Sequence, residues 1–138
     1  MPAEGGPALQ VTKNGGYSPA YESPDGKSLY YSRDFMASGV WKLPLAGGEE
    51  TLILDQPEGG FYGYWDLVEK GIYYYNADTK DIEFFDFATK YVSTAVTPVQ
   101  PPIPGNPGFS VSPDRRWILF AQKDQDIANI MVVDNFRW

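Results

Sequence analysis

An internal repeat constrains this chain more than any other feature of its sequence. SPDGKSLYYSR (Ser23–Arg33) returns as SPDRRWILFAQ (Ser112–Gln122), 89 residues on. EKGIYYYNAD (Glu69–Asp78) stands midway and aligns Tyr74 with Tyr30. The segment after each copy repeats too, as GVWKLPLAGG (Gly39–Gly48), DIEFFDFATK (Asp81–Lys90) and NIMVVDNF (Asn129–Phe136). The chain opens on the same unit, because MPAEGGPALQVT (Met1–Thr12) matches LPLAGGEETLIL (Leu43–Leu54).

A period of about 40–45 residues holding four short strand patterns is that of a β-propeller blade. Leu29–Tyr31, Ile72–Tyr75 and Ile118–Phe120 are apolar on both faces, as strands between two neighbouring sheets must be. Pro24-Asp25-Gly26, Gly47-Gly48, Asp78-Thr79 and Pro113-Asp114 supply the turns. No helical period survives over a dozen residues. The expected strands are 18–23, 28–33, 39–45 and 50–55; then 61–67, 71–76, 81–87 and 92–97; then 108–112, 117–122 and 129–135. A spare strand over 7–12 brings the total to twelve. The whole chain, 1–138, reads as one all-β unit of three four-stranded blades, about 16–56, 60–98 and 107–138. The proline-rich stretch Pro98–Pro107 is expected to be a long connection between the second and third.

Composition agrees and excludes several chemistries. Aromatic residues reach 16%, and 14 Gly and 12 Pro accompany them, which favours short strands and tight turns. Cysteine and histidine are absent, which removes disulfides, thiolate chemistry, Ser-His-Asp triads and His-containing metal sites. No cofactor motif occurs, and no resident metal is expected. Net charge is −7 and the pI is near 4.4, so phosphate backbones and anionic lipid are poor partners. No apolar run approaches a membrane span, and no leader pattern opens the chain. A cytoplasmic location is expected for the sequence as it stands, and an exported one if a leader has been removed.

SPDGKSLYYS followed by VWKLPLAGGEETLI resembles the TolB-like propeller repeat, a distant relative of the WD repeats. The resemblance covers nearly the whole chain, although the middle copy reads LVEK (Leu67–Lys70) where SPDG is expected. It implies a propeller of six or seven blades. It also implies roles such as protein binding in the bacterial envelope or gating of prolyl-oligopeptidase-like peptidases. Fold alone implies no single activity.

Three repeats are too few to close a ring. The expectation is a homodimer in which two chains complete a six-bladed ring, with residues 7–12 of each supplying the outer strand of the other's last blade.

Candidate binding residues lie in the loops expected around the channel mouth. NGGYSP, EGGFYGYW and GNPGFS offer Tyr17, Phe61, Tyr62, Tyr64, Trp65 and Phe109. SRDFMASG, NADTKD and QKDQDIAN offer Arg33, Asp34, Asp78, Lys123, Asp124 and Asp126. Aromatic rings beside charges suit a protein, peptide or glycan ligand. The competing expectation is that the aromatics pack between blades. Tyr64 and Trp65, as sequence neighbours, point to opposite sides. Asp25 and Asp114 are expected to cap turns. Asp124-Gln125-Asp126 lacks the continuation of a calcium loop. The leading reading is a non-enzymatic scaffold that binds at the mouth. A carboxylate enzyme, glycosidase or lyase, would rest on Asp66 and Glu22. A propeller remnant without a separate function is the third reading.

Overall fold

The computed structural model describes residues 5–105, 108–124 and 127–134. Eleven strands form three antiparallel sheets, and no helix occurs among the described residues. The first sheet runs β1 (Tyr17–Glu22), β2 (Ser28–Ser32), β3 (Val40–Pro44), β4 (Thr51–Leu54). The second runs β5 (Trp65–Val68), β6 (Gly71–Asn76), β7 (Asp81–Asp86), β8 (Val92–Val96). The third has β9 (Phe109–Val111), β10 (Trp117–Asp124) and β11 (Ile127–Asp134), with β10 in the middle.

The two good copies of the repeat fold alike because their turns close identically. Ser23 and Ser112 each accept a backbone N–H on the hydroxyl, from Ser28 at 2.9 Å and Trp117 at 3.0 Å. Asp25 and Asp114 each accept the amide two residues on, at 3.1 Å, and a serine hydroxyl at 2.6 Å. These bonds hold both carboxyls below their ordinary range. Gly26 takes φ 68°, and Arg115 takes the same left-handed conformation in the other copy at φ 57°.

The sheets pack face to face in chain order, and the second supplies both cores. Ile72 and Tyr74 pack with Tyr30, Val40 and Leu54 of the first sheet, together with Trp65 and Phe85. Tyr73 and Tyr75, on the alternate face, pack with Phe109, Val111, Ile118 and Phe120 of the third sheet, together with Tyr64 and Ile82. This is why Ile72–Tyr75 reads apolar at every position: neither face meets water.

Polar latches join the sheets where the cores end. Trp65 Nε1 donates to Ser32 Oγ at 3.0 Å, and Ser32 Oγ donates to the Tyr62 carbonyl at 3.0 Å. Asp66 accepts the Val111 amide at 2.7 Å. Burial raises the Asp66 carboxyl, against the pull of these bonds. The Tyr21 hydroxyl beside it is pushed up to about 12 by burial and by the Asp66 charge.

Two expectations need correction. Residues 61–64 form turns, and the strand begins only at Trp65. Gln122–Asp124 and Ile127–Asn129 are not loop: they belong to β10 and β11, with Lys123 opposite Ala128 and Asp124 opposite Ile127. Residues 7–12, whose expected partner edge belongs to a second chain, carry no strand in the single chain. Backbone pairing needs a neighbouring edge, and sequence pattern alone does not provide one.

Candidate functional site

At one end of the sheets, three loops are tied to each other. Gly60 N–H donates to the Phe35 carbonyl at 3.0 Å, and Gly105 N–H donates to the Gly60 carbonyl at 2.7 Å. Gly39 N–H reaches the Pro57 carbonyl at 3.0 Å, and Gly59 N–H reaches Ser38 Oγ at 3.2 Å. Asp34 Oδ1 accepts the amides of Met36 at 2.6 Å and Ala37 at 2.9 Å. That turn directs Phe35 and Met36 outward. A side chain at Gly59 would overlap the Met36 carbonyl, so only glycine lets the two loops approach this closely.

The result is an aromatic cluster held in place by backbone bonds. Tyr17 meets Tyr62 edge to face at 4.8 Å between centroids, Phe35 meets Tyr62 at 5.2 Å, and Tyr17 meets Phe35 at 6.4 Å. Tyr62 is buried and donates its hydroxyl to the Gly105 carbonyl at 3.4 Å, whereas Tyr17, Phe35 and Met36 are exposed. A buried ring thus supports two exposed ones, an arrangement that pre-pays the ordering cost of binding.

Of the residues singled out from sequence, the structure brings Tyr17 and Tyr62 together at the loop end and places Phe61, Tyr64 and Phe109 together in the core between the second and third sheets. Tyr64 and Trp65 are fully buried on opposite sides, against the third and first sheets. Phe61 packs on Tyr64 and Tyr75, and Phe109 lies in the same core. Asp34 is spent on its turn. Asp78 is exposed, its amide bonded to Asn76 Oδ1 at 3.0 Å. Lys123 and Asp124 belong to β10. Asp126 lies outside the described residues. Phe35 and Met36 were not singled out; two adjacent large apolar residues inside the polar loop SRDFMASG were the available signal.

Arg33 points elsewhere, to the outer face of the first sheet. Its guanidinium stacks over Trp41 at 3.3 Å and donates to Glu50 Oε2 at 2.6 Å. Asn14 adds a bond to the same oxygen at 3.3 Å. The Arg33 bond, first, brings the Glu50 carboxyl down to about 2 from 4.5. A carboxyl lowered on folding contributes stability fully present above pH 4.5 and lost as pH falls through 2. Glu50→Gln is therefore expected to flatten the acid side of the stability profile by about 1 kcal/mol, Arg33 being partly in water. Urea unfolding at pH 7 and pH 3 checks this, and parallel profiles for the two proteins would refute it.

The carboxylates considered for catalysis do not face one cleft. Asp66 is turned to the third sheet, while the Glu22 carboxylate lies over Gly26 of its own turn. Among the described residues, no three acidic groups converge to hold a metal ion.

Compared with known families and curated proteins, the chain matches no family model and no curated sequence.

Proposed function

We propose that this chain is a non-enzymatic, TolB-like half-propeller that self-associates into a six-bladed ring and binds a protein, peptide or glycan at its loop end. The cluster of Tyr17, Phe35 and Tyr62, with Met36 beside it, carries this reading. Exposed aromatics on a braced loop cost solubility without stabilising a core, and binding is what such a surface offers in return. The assignment of Asp66 to an inter-sheet hydrogen bond supports a scaffold over a carboxylate enzyme.

The test is a screen of immobilised peptides and glycans, with any binder quantified by titration. Tyr17→Ala combined with Phe35→Ala is expected to weaken it at least tenfold, about 1.4 kcal/mol, a typical worth for aromatic contacts. Both side chains are exposed, so thermal unfolding should move little. Equal binding by the double variant would move the site elsewhere. Cleavage of a glycan by the wild-type chain would replace the scaffold reading with the enzyme one.

A further inference from the structure

Neighbouring sheets meet through equivalent positions. On the second strand of each sheet, Tyr30 and Tyr73, one position off the sequence alignment of Tyr30 with Tyr74, face the next sheet along the chain and are 6% and 0% exposed. On the third strand, Val40 and Ile82 do the same, both at 0%. Register identifies their counterparts in the third sheet. Leu119 pairs with Val132 as Tyr73 pairs with Phe84, and Ala121 pairs with Ile130 as Tyr75 pairs with Ile82. Yet Leu119 is 41% and Ile130 73% exposed, and Trp117 and Val132 on the same face are exposed too. Two of these four large apolar side chains, Leu119 and Ile130, stand where the earlier sheets bury theirs.

The opposite face of the first sheet joins neither core, and on it Leu52 is 44% exposed although Tyr31 is only 1% exposed. Leu29 and Tyr31 occupy the places of Ile72 and Tyr74, and of Ile118 and Phe120, which are buried against the sheet before them. Trp41 pairs with Tyr31 and with Leu52 on this face. Among the described residues, Trp41 Nε1 and Arg33 Nε are buried here without an acceptor. Beside the face, Leu9 and Val11 border a groove of about 540 Å³ shared with Arg33, Leu43 and Glu50. Another space, about 460 Å³, runs from Pro19 and Tyr21 past Gly63 to Leu119 and Ile130.

The geometry points to a second copy of this chain as the occupant of both faces. The third sheet of one protomer packs through Leu119 and Ile130 on the Leu29–Trp41–Leu52 face of its partner. Two such contacts close the ring. The pairing repeats what the chain already does twice, a following face on a preceding one. Joining two Ile130 faces to each other would be a contact found nowhere within the chain. Among the described residues no strand occupies the outer edge of β11, and Leu9–Thr12, unpaired in the single chain, are placed to run along the partner's β11. Two full sheet faces exceed the roughly 1,000 Å² a specific interface needs. This deepens the self-association proposed above, but it fails separately from ligand binding, because Tyr17 and Phe35 lie within one protomer.

Light scattering after gel filtration tests it on the full chain. The wild type is expected at twice 15.4 kDa. Ile130→Asp and Leu52→Asp, on the two faces, should each weaken dimerisation at least 100-fold. Both side chains are exposed in the single chain, so circular dichroism should remain that of β-sheet. Ile130→Leu should stay dimeric. Mixing the two Asp variants should restore a dimer, because one of the two contacts then joins two intact faces. A wild-type monomer at micromolar concentration overturns the proposal. So does a dimer broken by Ile130→Asp but indifferent to Leu52→Asp, the signature of identical faces meeting. A partner other than a second copy would also leave the wild type monomeric.

Discussion

Trp65→Ala is expected to cost about 4 kcal/mol, enough to bring an ordinary small domain to the edge of unfolding. The indole is fully buried between the first and second sheets, edge-on to Tyr21 at 5.1 Å. Its removal leaves a cavity bounded by two backbone sheets, which collapse poorly. It also takes the donor from Ser32 Oγ, which itself donates to the Tyr62 carbonyl. Trp65→Phe separates the two losses: it keeps most of the buried surface and gives up the hydrogen bond, for about 1–2 kcal/mol. Urea unfolding at one fixed protein concentration measures both, since association would make stability concentration-dependent. A loss below about 1 kcal/mol for Trp65→Ala would mean that the two sheets are not held by this core.

Gly71→Ala is expected to cost about 3 kcal/mol for a different reason. Its φ is not left-handed, so the backbone would accept an L side chain. Space would not: a Cβ there overlaps the Phe85 carbonyl oxygen and lies 2.7 Å from the Phe84 ring. The β6–β7 ladder would have to open at the register pair Gly71–Asp86. Gly47→Ala is the converse case, with φ 100° and nothing within 4 Å, and should cost about 1 kcal/mol from backbone strain alone. Hydrogen exchange should show β6 and β7 loosened in the first variant and unchanged in the second. Equal effects would mean that crowding at Gly71 is relieved without cost.

The repeat made most of the strands readable, because strand alternation and turn chemistry are local. Ser23 and Asp25 close their turn with atoms from residues 23–28, so the sequence there contains everything the turn needs. Tyr64 and Trp65 likewise had to point to opposite sides, and they do. The loop end was less readable. Tyr62 and Phe35 look equally available in sequence, yet one is buried and the other exposed. That difference depends on Tyr17 and Gly105 reaching Tyr62 from distant parts of the chain, while Gly60 braces the loop that carries Phe35.

The pairing at Lys123 and Asp124 shows the same limit. Polar residues between two apolar runs read as a loop, but cross-strand pairing carries the ladder through them to Asp124–Ile127. Strand identity, turn closure and the two-sided apolar character of the middle sheet were written into the residues, since each arises from φ/ψ preference and neighbours a few positions away. The fate of individual side chains was settled only in three dimensions. Burial requires an opposing surface, and the surfaces opposing Trp65, Asp66 and Tyr62 come from residues some 30 to 45 positions distant.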